Sequence, residues 1–183
     1  MTNAVLIDQI RELYGRVIYT HKTHEKMAEK CARTLERNKI TQIVLTSLTA
    51  SGVIATVFSD QFLLKIMASA CAALSTFLAL YQRGFDPGTT AQKHRDAASN
   101  IWNIRESYLS LLTDLSNGDI SDADARVRRD MLQAELSVIY AGAPQTSSTA
   151  YLAAQKGLQR DEEFTFSDEE IDKFLPNSLR KKV

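Results

Sequence analysis

Residues 40–58 read ITQIVLTSLTASGVIATVF and residues 62–81 read FLLKIMASACAALSTFLALY, with only Ser59, Asp60 and Gln61 between them. The first run holds no charge and the second a single one, Lys65. As helices rising 1.5 Å per residue they span roughly 28–30 Å each. A bilayer core about 30 Å thick needs roughly 20 such residues. A three-residue link forces the two segments to fold back on one another, so the chain leaves the hairpin on the side from which it entered. The competing reading is a buried hairpin in a soluble bundle. It needs a larger core than the rest of 183 residues can enclose. The expected fold is therefore all-α: an integral membrane hairpin of two transmembrane helices with flanking cytoplasmic helices in an antiparallel bundle.

Flanking charge gives the orientation. Arg33, Arg37 and Lys39 precede the first span and Arg83 follows the second, while the turn carries no Lys or Arg. Both termini are thus expected in the cytoplasm. Lys65 lies about 6 Å below the outer turn, within snorkelling reach of the interface. A long polar helix precedes the first apolar run, so no signal peptide is expected and targeting falls to the hairpin. Acidic and basic residues cancel over the whole chain, which leaves no global field for nucleic acid. Few prolines and glycines favour long helices. Cys31 and Cys71 lie on different elements and are not expected to pair, which suits a reduced compartment.

Small and hydroxyl residues form two stripes in the spans. Ser47, Ser51, Ala55 and Ser59 recur every four positions, and Lys65, Ser69, Ala72, Thr76, Ala79 and Arg83 recur at alternating steps of four and three. Such stripes either let helix backbones pack closely or line a polar path in an oligomer, since one hairpin cannot enclose a pore. Only the second stripe has a cation at each end.

Outside the hairpin the division expected is a cytoplasmic N-terminal helix (1–39), the hairpin (40–82), a cytoplasmic helical region (83–140), and a linker with short C-terminal helices and tail (141–183). In the first, Leu6, Ile10, Leu13, Val17, Thr20, His24, Met27 and Cys31 follow coiled-coil spacing. FDPG at 85–88 breaks the chain before a helix from about Thr89 to Ser116, with Ala97, Ile101, Ile104, Tyr108, Leu111 and Leu115 on one face. Asn117-Gly118 should stop it with a left-handed cap. Ser121 and Asp124 open a helix from Asp122 to Tyr140 that can pack through Val127, Met131, Ala134 and Val138. AGAPQTSST at 141–149 reads as linker, followed by a short helix from about Ala150 to Gln159. Ser167 and Glu170 open another that ends before Pro176. Arg180-Lys181-Lys182 reads as a solvated tail able to touch anionic lipid.

Catalytic signatures are missing. His21 and His24 have no further ligands for a metal and read as a partly exposed face. His94 and Asp96 near Trp102 are too close in sequence to form an acid–base pair across a helix face. There is no phosphate loop, dinucleotide turn or nucleophile elbow. The acidic runs at 161–163 and 168–170 read as solvated surface. Neither an enzyme nor a cofactor site is expected.

The segment after the hairpin, AQKHRDAASNIWNIRESYLSLLTDL at 91–115, resembles the SLATT family. These are two-transmembrane effector domains associated with nucleotide-synthesising and nucleotide-sensing proteins in bacterial conflict systems. The resemblance runs over about 6–140 and rests on Lys93, His94, Arg95, Ala98, Trp102, Arg105, Glu106, Tyr108, Leu112 and Asp114. It implies a silent effector in the bacterial inner membrane that forms homo-oligomers and permeabilises the bilayer. The partner it implies is a companion defence protein: a nucleotide synthase, a nucleotide sensor or a reverse transcriptase. Arg95, Trp102, Arg105, Glu106 and Tyr108 become candidates for passing the signal. Against this stand plain surface ion pairs for the charged residues, and packing of Trp102 and Tyr108 against the first helix. The alternative function is a membrane-anchored adaptor that holds a partner enzyme through its bundle; there, an unrelated two-span anchor should substitute for the hairpin.

Overall fold

The computed structural model describes residues 4–58 and 61–181, and all regular structure among them is helical. The first helix, α1 (Ala4–Phe58), runs unbroken through both the polar N-terminal segment and the first apolar run. Its 55 residues extend about 82 Å. The stretch CARTLERNKITQ across the expected boundary at 39/40 contains no proline or glycine, so nothing interrupts the hydrogen-bond ladder there. The second helix, α2 (Phe62–Gly84), returns antiparallel along α1. The turn expected at Ser59, Asp60 and Gln61 lies mostly outside the described residues.

The third helix, α3 (Pro87–Asn117), starts two residues earlier than the sequence suggests. Asp86 caps it by accepting from the backbone N–H of Gly88 at 3.0 Å and Thr89 at 3.1 Å, and Pro87 takes the first-turn position where its missing N–H costs nothing. The helix ends, as expected, at Gly118, whose φ of +78° is the left-handed conformation a side chain would strain. The link at 85–86 turns the chain at the membrane edge, so α3 runs back along the polar half of α1. This α1–α3 pair is the main contact of the bundle.

Both rows expected on that pair are in place. Leu6, Ile10 and Val17 of α1 pack against Ile101, Ile104, Tyr108, Leu111 and Leu115 of α3. Nearer the membrane the core is made of small residues and histidine: Ala28, Ala91, Ala97 and Ala98 surround His24 and His94.

Helix α4 (Asp122–Gly142) is capped by Ser121 as its sequence suggests. Its docking face is a correction. Val127, Met131, Ala134 and Val138 are exposed, and α4 packs through Ala125 and Leu132, with Leu136 and Ile139 half-buried. The helix carries two apolar rows at helical spacing. The row running through Ala125 and Leu132 is the one that meets α3.

Helix α5 (Ser148–Gln159) lies against α1 through Ala150, Ala154 and Gly157. The region taken as linker and tail thus completes the bundle. The short α6 (Asp168–Phe174), capped by Ser167, stands outside the core. Rather than being a loose tail, residues 180–181 fold back on it, Lys181 lying 2.7 Å from Asp168 and Arg180 donating to the Leu175 carbonyl.

Candidate functional site

The two halves of α1 meet different surroundings. Along the apolar half, Ile43, Val44, Leu48, Val53, Ile54, Val57 and Phe58 are exposed, as are Phe62, Leu63, Ile66, Met67, Leu74, Phe77 and Leu80 of α2. A soluble protein would bury such residues, so the buried-hairpin alternative fails on exposure. Tyr81 and Phe85 meet in a tilted pair with ring centroids 4.8 Å apart where α2 meets the polar bundle, the place of an interfacial aromatic belt.

What the hairpin buries is a mixture of small, polar and leucine side chains. Along the facing row, Gln42, Leu45, Thr49 and Gly52 on α1 and Leu64, Cys71, Ser75, Leu78 and Gln82 on α2 are half-buried and Ala68 is buried, again at steps of three and four. A methyl group on Gly52 would sit 3.0 Å from the Ala68 Cβ, so these two positions set the closest approach of the backbones. Gln42 donates to the Ser75 hydroxyl across the seam. Both cysteines are free and half-buried.

The two sequence stripes lie beside this seam rather than in it. Ser47 and Ser51 are exposed and Ala55 is half-buried, while Ser59 falls outside the described residues. On α2, Lys65, Ser69, Thr76, Ala79 and Arg83 are exposed and Ala72 is half-buried. The stripe hydroxyls on α2 already have partners within the helix: Ser69 donates to the Lys65 carbonyl at 2.8 Å and Thr76 to the Ala72 carbonyl at 2.9 Å. These groups are tolerated in lipid as they stand, and each keeps lone pairs that water can use.

Of the signal candidates, only Arg105, Glu106 and Tyr108 sit at the packed α1–α3 face. Arg105 lies 2.6 Å from Glu106 and 3.5 Å from His21 Nδ1. Tyr108 is fully buried, as expected. Trp102 is not: at 47% exposure it stands on the outer side of α3, about 100° round from the buried Ile101. Its distance from the row 97, 101, 104, 108 was visible in the sequence. Arg95 is exposed, near Gln92, and does not join Arg105.

The largest departure from the sequence reading is at residues 21–24 of α1. His21, Lys22, Thr23 and His24 are all buried, so α1 is enclosed on every side over one turn. The partly exposed face expected for the two histidines is corrected by α3 on one side and by α5 and residues 163–164 on the other. His24 and His94 meet Nδ1 to Nδ1 at 2.9 Å, one donating and one accepting. Burial, then the neighbouring His94 and His21, push His24 down to about 4, and burial lowers His94. Both rings are neutral at physiological pH. Asp96 is exposed and bonded to Gln92, so it forms no pair with His94.

On the other side, Glu163 is not the solvated acid its sequence suggests. It forms ion pairs with Lys22, whose side chain is 8% exposed, and with Lys26 at 2.7 Å. These hydrogen bonds hold its carboxyl below the usual range. Burial pushes the Lys22 ammonium down, but its bonds to Glu163 and Glu25 outweigh this and its pKa is raised. Phe164 stacks on His21 at 5.4 Å, with Lys22 4.3 Å and the Arg105 guanidinium 4.8 Å from its ring centre. No local sequence signal could reveal this contact, because its partners are 137 residues apart. Among the described residues no group of three potential metal ligands occurs.

An exposed apolar hairpin joined without a break to a helical bundle defines a two-span membrane protein. A family model described as SMODS and SLOG-associating 2TM effector domain family 4 matches residues 6–170, and the chain belongs to that family. The match reaches beyond the 6–140 of the sequence resemblance, through α4, α5 and the Glu163 loop into α6, which agrees with their packing against the bundle. No curated protein and no solved structure matches the chain.

Proposed function

We propose that this protein is a membrane effector of a bacterial defence system, silent until a partner or nucleotide signal reaches its bundle, which then oligomerises and permeabilises the inner membrane. Membership of a two-transmembrane effector family supports the effector role. The observation that carries the pore reading is the polar row Lys65, Ser69, Thr76 and Arg83, exposed on α2 beside the seam that already joins α2 to α1. A hairpin whose packing is satisfied by one row and which presents a second polar row is suited to line an aqueous path when several copies assemble. Internally bonded hydroxyls let the single hairpin rest in lipid before that. Arg33, Arg37, Lys39 and Arg83 at one end of the hairpin favour cytoplasmic termini, so the bundle would face the signal.

Strong induction of the chain in a bacterial host, with insertion confirmed and membrane potential followed by a voltage-sensitive dye, tests this reading. Depolarisation is expected, and Lys65→Glu or Thr76→Leu should alter it while leaving insertion intact. Unchanged depolarisation in both variants would remove α2 as the lining. An intact potential with the native chain points to an effector awaiting its partner or to a passive anchor.

A further inference from the structure

Between α1 and α5 runs a groove of about 640 Å³ whose charge is uneven. Lys26, Lys30, Arg33 and Arg37 recur along one face of α1 at steps of four, three and four, and Lys156 faces them from α5. Like charges at such spacing repel by a few tenths of a kcal/mol per pair, so the row costs stability unless something negative lies along it. The groove holds three carboxylates against these five cations. Glu29 takes Arg33 at 3.1 Å, Asp161 lies 3.9 Å from Lys156, and Glu163 takes Lys26. Among the described residues Lys30 and Arg37 have no carboxylate; Lys30 donates to the Thr149 hydroxyl at 3.2 Å.

Glu163 is placed at the membrane-distal end of this groove by two local features. Glu162 before it has φ +51°, a left-handed conformation that costs a non-glycine residue free energy. Gly157 beneath it leaves space for the Glu163 carboxylate, which a Cβ there, 2.9 Å from Glu163 Oε1, would push aside. Both features place a carboxylate on Lys22 and Lys26, with the rest of the cationic row running on towards the membrane.

We propose that the α1–α5 groove binds a multiply charged phosphoryl anion, and that Glu163 is a tethered stand-in at its distal end which the anion displaces. A phosphoryl group carries more charge and more acceptor oxygens than a carboxylate, which suits Lys and Arg donors. From Lys26 to Arg37 the row extends about 16 Å along α1, enough for more than one such group. Arg37 lies only about 4–5 Å along the axis from Ile40, so the groove opens at the membrane interface. A soluble polyphosphate and an anionic lipid headgroup offer the same chemistry there. Displacement of Glu163 frees Phe164 from between Lys22 and Arg105, which makes occupancy readable. The inference is independent of the pore reading, because binding and proteolysis report it and conductance does not.

The test uses the full chain in phosphatidylcholine nanodiscs, titrated with tripolyphosphate by calorimetry at fixed ionic strength. Glu163→Gln leaves Lys22 its 2.8 Å bond to Glu25, so the bundle should remain folded. That variant should bind about tenfold more tightly, and Lys30→Gln with Arg37→Gln about tenfold more weakly, than the native chain. Tripolyphosphate should also speed chymotrypsin cleavage after Phe164, whereas chloride at equal ionic strength should not. If phosphatidylglycerol nanodiscs alone speed that cleavage and tripolyphosphate does not bind, the anion is a lipid headgroup. Failure of both probes, an unchanged affinity in Glu163→Gln, or an equal effect of chloride would overturn the proposal.

Discussion

Hairpin and bundle share one helix and one spacing, yet they bury different chemistry. In the bundle the three–four row of α1 and α3 is Leu, Ile, Val and Tyr, facing inward, and most charges face out, with Lys22 buried as an exception. In the hairpin the corresponding row mixes Gln42, Thr49, Gly52, Ala68, Ser75 and Gln82 with Leu45, Leu64 and Leu78, while Ile43, Leu48, Ile54 and Phe77 face out. Water drives apolar side chains together, but lipid gives them no reason to leave, so helices in a bilayer associate through close backbone approach and polar contacts instead. Heptad spacing alone says that two helices pair; it does not say which residues face the partner.

The comparison is tested most strongly by one substitution repeated in each half. Ile104→Ala, in the bundle core, should lower stability by about 2–5 kcal/mol, and Ile54→Ala, on the outer face of the hairpin, by less than about 0.5 kcal/mol. Denaturant unfolding in detergent, followed by helix signal, measures both. Similar losses would mean that Ile54 is covered by something other than lipid or detergent. Two glycines of α1 give the next contrast. Gly52→Val should cost about 1–3 kcal/mol by forcing α2 away at Ala68, while Gly15→Ala, with open space at its Cβ, should stabilise by about 0.5–1 kcal/mol. A neutral Gly52→Val would show that the seam is loose.

A third contrast concerns pH, and it belongs to the bundle alone. The folded pKa of His24 lies near 4, and those of His94 and His21 are also lowered chiefly by burial. The unfolded chain therefore takes up protons first on acidification. Stability is full above the ordinary histidine value near 6.5 and falls as pH drops from there towards about 4, by up to about 1.4 kcal/mol per pH unit for each proton. Thermal midpoints between pH 7 and pH 5 should show the decline, and His24→Leu with His94→Leu should flatten it to the part left by His21. Glu163, whose pKa is depressed, loses its contribution only below the usual carboxylate range and does not confuse this window. An unchanged slope in the double variant would place the proton uptake elsewhere.

Most of the scaffold was legible because it depends on local signals. The apolar runs, Asp-Pro-Gly before α3, Asn-Gly after it, and the serines opening α4 and α6 act over a few residues. The α1–α3 rows were legible because each helix there has one dominant neighbour and one dominant apolar face. Legibility failed where that condition failed. At residues 21–24 α1 is enclosed by several elements, so no single face describes it. On α4 two apolar rows compete and only docking selects one. The stripe Lys65 to Arg83 and the seam Leu64 to Gln82 are one position apart at identical spacing, and periodicity cannot choose between adjacent registers.

The sequence by itself determined that this chain is helical, that it carries two adjacent segments long and apolar enough to span a membrane, and where α4 and α6 start. Helix length, capping and transfer into lipid are properties of contiguous residues, so they can be read in order along the chain. Only the tertiary structure decided which hairpin residues touch, that His24 meets His94, and that Glu163 and Phe164 close on Lys22, His21 and Arg105. Those contacts join residues from 59 to 143 positions apart, and it is the packing of whole helices that sets them.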